Sequence, residues 1–345
     1  MNISTVLASA LASAALVLFA GCSGASSTTS SLPTTGGLTQ TRQTHVQTSL
    51  HPGLLYPETT GVAPKLLGLV HPSSKLRCRS CVDDLFVADG GLGDVEILEN
   101  GSYTDDGTVS LGLNSVEGDF VDKPGNLYVA DNAGHRIQEY KPGRSTPSFT
   151  YSAGMDQPIQ VSVDLHGNVY EADYSTRIYG GGWINEYKQG TNVVEYTCTF
   201  PGPVSGVAVD SSGDVFMSAN SGGFIIFSDF NNGLSGCLSS VYLQIPGFSG
   251  GMVIDAKRNL IVADQQGKID VIYPPYSQVN YTIPGFAHPF GIALSQDNKT
   301  LYVADWGTKT VKVLKYPSAV LITTLGSGNG LSVPFGVTDY PNAVY

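Results

Sequence analysis

One short phrase recurs six times along this chain, and a chain that repeats itself at a near-constant period has few architectures open to it. An apolar strand ends each time in Ala-Asp or a near relative. It reads Leu85-Phe-Val-Ala-Asp89, Leu127-Tyr-Val-Ala-Asp131, Val169-Tyr-Glu-Ala-Asp173, Val215-Phe-Met-Ser-Ala-Asn220, Leu260-Ile-Val-Ala-Asp264 and Leu301-Tyr-Val-Ala-Asp305. The last residues of successive copies lie 42, 42, 47, 44 and 41 positions apart.

The neighbours of the phrase repeat with it. A strand of the form Gly-Val-Ala-Val-Asp precedes it, as in Gly206–Asp210, Gly251–Asp255 and Gly291–Ser295. Gly125-Asn126, Gly167-Asn168 and Gly213-Asp214 stand between the two strands and supply the positive φ angles of a tight hairpin. A third strand ending near an aromatic follows: Ile137–Tyr140, Ile184–Tyr187, Ile225–Phe227, Ile269–Tyr273 and Val311–Tyr316. A fourth closes the unit: Ser148–Tyr151, Val193–Phe200, Val241–Ile245, Val279–Ile283 and Val320–Leu325. Six units of four strands predict an all-β, six-bladed β-propeller. The 41 glycines, 18 tyrosines and only 14% charged residues suit short strands and tight turns.

The first unit has its second and third strands, but Lys75–Val82 matches an innermost strand poorly. The missing piece stands at the other end. Pro334-Phe-Gly-Val-Thr-Asp339 repeats the pattern of Pro289-Phe-Gly-Ile-Ala-Leu294, which predicts that the C-terminal strand enters blade one and closes the ring. The domain reading is a propeller over 85–345 with a lead-in segment over 65–84.

The stretch Tyr128-Val-Ala-Asp131-Asn-Ala-Gly-His135-Arg136-Ile-Gln-Glu-Tyr140 resembles an NHL repeat, including its histidine. The resemblance spans about Leu85 to Asp339, with blade two nearest and blade four loosest. It implies a β-propeller. NHL members include protein-binding, nucleic-acid-binding and enzymatic domains, so the resemblance implies shape rather than chemistry.

The N-terminus reads as a targeting segment over 1–22. Val6–Ala20 has the length of a signal-peptide apolar core and is too short to span a bilayer. It ends in Phe19-Ala20-Gly21-Cys22, which resembles a bacterial lipobox and implies lipidation of Cys22. Residues 23–64 turn to Ser, Thr, Gly, Gln and Pro and read as a flexible tether. The expected location is the cell envelope, as a membrane-anchored lipoprotein or a secreted protein. A formal charge of −11 argues against nucleic acid and against electrostatic docking on anionic lipid. Membrane attachment is therefore expected only through the N-terminal lipid.

Most chemistry-bearing residues read as architecture. The recurring Asp89, Asp131, Asp173, Asp264 and Asp305 are expected to accept loop amides, as are Asp122, Asp164, Asp210 and Asp255 at the first turn. His166 falls on the face opposite His135 and His288, so no three-histidine metal site is expected, and neither metal nor cofactor is assigned. The innermost strands offer few side-chain oxygens, and no carboxylate near a channel mouth stands out from the repeat. The spacing Cys78-Arg-Ser-Cys81 lacks the context of a redox or zinc motif and is expected to form a local disulfide. For Cys198 and Cys237 the pairing is open; strand polarity argues against it by placing them at opposite ends of adjoining blades.

Loops joining second to third strands share one face with the connections between blades. Blade three enlarges its loop to Asp173-Tyr174-Ser-Thr-Arg177-Ile-Tyr179-Gly-Gly-Gly-Trp183, and an insertion on one face of a repeat array often marks the binding face. Tyr174, Arg177, Tyr179, Trp183, Trp306, His135, Arg136, Phe248, Phe286 and His288 are expected there as ligand-binding candidates. Trp183 and Trp306 are read as surface rings whose loss would leave the melting temperature nearly unchanged. The expected function is a monomeric, non-enzymatic binding or scaffolding module for a protein, peptide or glycan. The alternative is a metal-dependent lactonase or hydrolase with its site over the channel. No catalytic residue is assigned.

Overall fold

The acidic residue at the first turn of each unit sets its hairpin. Asp122, Asp164, Asp210 and Asp255 accept on Oδ1 the backbone N–H of Asn126, Asn168, Asp214 and Asn259 at 2.7, 2.8, 3.0 and 2.9 Å. Gly125 supplies the left-handed step within that turn, at φ 90°. The computed structural model describes residues 83–341 other than 176, 178–180 and 238, and for 239–242 the backbone alone. The targeting segment with Cys22, the tether, the Cys78–Cys81 pair and Lys75–Val82 lie outside the described residues.

Blade one holds β1 (Asp84–Asp89), β2 (Asp94–Glu99) and β3 (Asp105–Val109). Blade two holds β4 (Val116–Val121), β5 (Leu127–Asp131), β6 (Arg136–Tyr140) and β7 (Phe149–Tyr151). Blade three holds β8 (Pro158–Val163), β9 (Val169–Asp173), β10 (Trp183–Tyr187) and β11 (Val194–Thr199). Blade four holds β12 (Val204–Val209), β13 (Val215–Ser221), β14 (Phe224–Phe230) and β15 (Ser239–Pro246). Blade five holds β16 (Ser249–Ile254), β17 (Leu260–Asp264), β18 (Lys268–Ile272) and β19 (Tyr281–Pro284). Blade six holds β20 (Pro289–Leu294), β21 (Thr300–Asp305), β22 (Thr310–Lys315) and β23 (Val320–Leu325). The last strand, β24 (Thr338–Tyr340), belongs to blade one. Blades two to six are four-stranded antiparallel sheets in sequence order from the inner to the outer edge, and blade one runs β24-β1-β2-β3.

The ring closes as the repeat requires. On β24, Thr338, Asp339 and Tyr340 stand opposite Phe86, Leu85 and Asp84 of β1. The pairing continues upstream, where Phe335 donates its N–H to the Ala88 carbonyl at 2.9 Å and Ala88 donates to Gly336 at 3.1 Å. The six inner strands then pack side by side around the axis. A glycine recurs on them because neighbouring backbones approach too closely for a side chain. A Cβ at Gly118 would lie 2.5 Å from the Ile159 carbonyl oxygen, and one at Gly291 would lie 2.3 Å from that of Phe335.

The core fills the spaces between blades. Val207 and Val209 of β12 pack on Tyr170 and Ala172 of the preceding blade, while Ala208 faces Met252 and Ile254 of the next. This is the period-2 alternation of a strand buried on both faces. The aromatics that end the third strands, Tyr140, Tyr187 and Phe230, are buried in these spaces.

The cysteine pairing that the sequence leaves open is formed, against the argument from strand polarity. Cys198 and Cys237 form a disulfide with Cα atoms 5.4 Å apart. Strand polarity does put β11 and the β14–β15 turn out of register, but that turn is no tight hairpin. It inserts Leu234, fully buried, into the cluster that holds Cys198, and the Leu234 N–H donates to Glu186 at 2.8 Å. The excursion carries Cys237 across to blade three.

Candidate functional site

Inner strands begin on one face of the disc, here called upper, which also carries the second-to-third-strand loops and the connections between blades. The aspartate ending each second strand holds that face together. Asp131 accepts the N–H groups of Asn114 and Ser115, both at 3.0 Å, and Asp305 those of Ala287 and His288 at 2.9 and 2.8 Å. Asp89 binds Val333, Asp173 binds Gln157 and Asp264 binds Phe248 in the same manner. In blade four Asn220 takes over, accepting from Ser249 at 2.8 Å. Each clamp fixes the loop entering its own blade's inner strand, the structural role expected from the sequence.

Those clamps aim a set of rings at the axis. His288 and Trp306 flank β20 and β21 and stack with centroids 4.7 Å apart and planes 17° from parallel. Trp306 also lies 6.0 Å from Phe335 at 25°. Phe335 meets Phe290 edge-on at 6.0 Å, and with Ile159 these two form a buried cover across the upper end of the channel. Tyr174 and Val333 pack on that cover beside Trp306. His288 donates from Nδ1 to the Gln265 carbonyl at 3.0 Å, which leaves Nε2 as the acceptor of the neutral ring. The Trp306 Nε1–H is buried and has no hydrogen-bond partner. Burial pushes the Tyr174 phenol above its ordinary range.

A second group forms on the rim between blades two and three. His135, in a left-handed conformation at φ 53°, donates from its ring to the Asp156 carbonyl. Arg177, largely exposed, places Nε 3.4 Å from the Asp156 carboxylate, and Ser175 donates its hydroxyl to the same group. Asp156 thus gathers both His135 and Arg177 although the sequence reading did not name it.

Other candidates go elsewhere. Trp183 is fully buried and donates its indole N–H to the Gly154 carbonyl at 3.0 Å, which corrects its reading as a surface ring. As the first residue of β10 it pairs with Asp173 and belongs to the sheet, so the insertion ends before it. Arg136 is turned inward to Asp131 at 2.9 Å and to the Gly112 carbonyl at 2.8 Å. Phe286 packs against the cluster between blades five and six with Lys312 4.9 Å above its ring. Phe248 is half-buried on the blade-four to blade-five connection and is absent from the axial ring cluster. Tyr179 lies outside the described residues.

The channel itself corrects a further expectation. Beneath the cover, β4 carries Glu117 and Asp119, both buried; neither Asp119 oxygen has a partner, and Glu117 Oε2 has none. Burial alone pushes Glu117 up to about 8, and burial drives Asp119 well above the usual carboxylate range. The signal was present in Glu117-Gly-Asp119, which stands where blade four has Ser205-Gly-Val207 and blade five Gly250-Gly-Met252. Among the described residues no group of three or more His, Cys, Asp or Glu is placed to hold a metal. A larger groove of about 580 Å³ lies on the outer rim between blades four and five, where Lys268 is already paired with Asp264 and Asp270 at 3.1 and 2.8 Å.

No family model matches the chain, and no curated protein matches it. Solved structures do. A chain from the crystal structure of a nidogen–laminin complex aligns with a TM-score of 0.63 at 16% identity, covering 74% of this chain and 98% of that one. A protein of unknown function from Bacteroides caccae aligns with a TM-score of 0.59 at 10% identity, covering 75% and 98%. At such identities the likeness establishes the fold alone. The NHL resemblance rests on the repeated phrases, and what the comparisons and the sheet order establish is a six-bladed, all-β propeller.

Proposed function

We propose that this chain is an exported, lipid-anchored, NHL-like propeller that binds a protein, peptide or glycan on its upper face and is not an enzyme. The carrying observation is the Trp306–His288 stack over the axis, backed by Phe335 and flanked by Tyr174. Flat rings held by backbone clamps offer contact area that costs little ordering on binding. The His135–Asp156–Arg177 group extends this surface with charge. The Cys198–Cys237 disulfide supports an oxidising compartment, and the lipobox-like end at Cys22 supports attachment by lipid.

The alternative, a hydrolase with a metal over the channel, needs oxygen ligands facing solvent at the mouth. Here the unpartnered carboxylates lie under the cover of Ile159, Phe290 and Phe335. A solved neighbour that comes from a nidogen–laminin complex is in keeping with protein binding by this architecture.

The test is retention on the immobilised protein. Wild type, Trp306→Ala and a remote control, Leu165→Ala, are compared on a glycan array and against envelope extract. Loss of a wild-type partner in Trp306→Ala alone is the expected outcome; equal retention by all three sinks the site. Metabolic labelling with a fatty acid should mark the wild type and leave Cys22→Ser unlabelled.

A further inference from the structure

The outer edge of blade six differs from the rest of the rim. On β23, Val320, Leu321 and Ile322 stand in a row with 54, 54 and 48% of their surface exposed. Every other exposed large apolar side chain among the described residues stands singly. Among the described residues no strand lies beyond β23, so one side of its backbone is open along this row. Folded proteins blunt such an edge with charge or proline, because an uncovered apolar strand pairs with extended chain that it meets. Val320-Leu-Ile-Thr-Thr-Leu325 carries neither.

The chain holds a matching segment of its own. Lys65-Leu66-Leu67-Gly68-Leu69-Val70-His71 lies between Pro64 and Pro72, seven residues against the six of β23. Proline bounds a strand because it cannot donate to the ladder. The described residues begin at Asp83, whose carbonyl accepts the Asn100 N–H at 2.9 Å. Asn100 in turn accepts the hydroxyl of Tyr302, on β21, at 3.0 Å. The lead-in therefore joins the disc at the lower seam between blades one and six, beside the open edge. The residues from Val70 to Asp83 can span about 40 Å, whereas a four-stranded blade is about 15 Å across.

Direction and charge agree with this. As a fourth strand, β23 runs from the lower face to the upper, and its exposed residues are its first three. A strand antiparallel to it ends at the lower face, where the chain must return to Asp83. Residues 65–82 include Lys65, Lys75, Arg77 and Arg79 and no Asp or Glu. They lead into an acidic seam, where the Asp84 carboxyl is pushed up by burial and then by Asp106, Asp83 and Glu99. A basic lead-in entering an acidic seam is drawn along the disc rather than away from it.

We propose that Leu66–Val70 adds to the outer edge of β23 as an antiparallel fifth strand of blade six and covers Val320, Leu321 and Ile322. Main-chain hydrogen bonds to the open edge would hold it, and its leucines would shield the exposed row. The segment would tie blade six to blade one a second time, on the outer side of the seam that β24 closes from within. This contact is separate from the binding surface on the upper face.

Peptide-resolved amide exchange by mass spectrometry on the full chain tests it. Residues 66–70 should exchange about tenfold or more slowly than an unstructured peptide of the same sequence. The protection should be the same at widely different protein concentrations, as an intramolecular contact requires. Leu321→Lys with Ile322→Lys, both on the exposed rim, should release residues 66–70. Leu67→Asp with Leu69→Asp should free the outward amides of β23. In both variants the inner strands should keep wild-type protection, which shows that the propeller is folded. Free exchange of residues 66–70 in the wild type refutes the proposal, as does protection that survives Leu321→Lys with Ile322→Lys. Protection of β23 that rises with protein concentration, together with a dimer in sedimentation, gives the edge to a second copy and also refutes it.

Discussion

The indole of Trp306 lies on the imidazole of His288, centroids 4.7 Å apart, although the two residues belong to different loops of blade six. Asp305 creates the contact. Its side chain takes the backbone N–H of His288 at 2.8 Å, and its backbone leads directly into Trp306. The repeat's most ordinary feature therefore positions its most distinctive surface group. Replacing Trp306 by alanine should lower stability by only about 1–2 kcal/mol, because the ring is half-exposed. Replacement by phenylalanine should keep most of the stack. Chemical denaturation checks both, and a loss above 4 kcal/mol for Trp306→Ala would mean the ring serves the core.

Trp183 should behave in the opposite way. It is fully buried with its N–H bonded to Gly154, so Trp183→Ala empties a large site, while the Gly154 carbonyl keeps the Asn185 amide at 3.2 Å. The expected cost is about 3–5 kcal/mol, read from the denaturation midpoint, with a slope similar to wild type.

The disulfide closes a separation of 39 residues between blades three and four. Replacing Cys198 and Cys237 together by alanine should cost about 2–4 kcal/mol. The loss should appear equally when the wild type is unfolded in a reducing buffer. A double variant as stable as the oxidised protein would show that the bond does not form.

The closing seam should weaken as pH rises. Asp339 on β24 is pushed up to about 7, chiefly by burial and then by Asp83, and Asp84 on β1 up to about 6, by burial and then by Asp106, Asp83 and Glu99. Both folded values lie above the ordinary 3.8, so the folded state holds protons that the unfolded chain releases. The resulting stability is complete below about pH 4 and is lost as pH climbs through 6 to 7. Asp339→Asn keeps an acceptor for Asn100, which donates to Asp339 at 2.7 Å, and should flatten that dependence. Amide exchange at Ala88 across pH 5 to 8 gives the reading; equal protection throughout would contradict it.

Much of this molecule was legible in its sequence because each blade solves the same problem with the same residues. The four-strand period, the Gly-Asn hairpins, the aspartate clamps and the closing Pro334–Asp339 strand all follow from patterns two to six residues long. Blade four shows the limit. Its clamp is Asn220 rather than Asp, and its third strand runs Phe224–Phe230, beyond the Ile225–Phe227 read from the sequence. Its following turn is long enough to leave the face and deliver Cys237 to blade three, a path that strand polarity does not foresee.

The candidate site divides along the same line. Which face carries the loops is a matter of strand count, so Tyr174, Trp306, His288, His135 and Arg177 were placeable by parity alone. Whether a given ring points out or in depends on what its neighbours leave room for. Trp183 is drawn into the sheet by the Gly154 carbonyl, and Phe335 and Phe290 cover the channel because six inner strands converge there. Local sequence determined the blade, its turns and the order of the ring, because those rest on hydrogen bonds between near neighbours. Only the tertiary structure decided the cover, the buried Glu117 and Asp119, and the Cys198–Cys237 bond, because each depends on residues from different blades meeting across a closed ring.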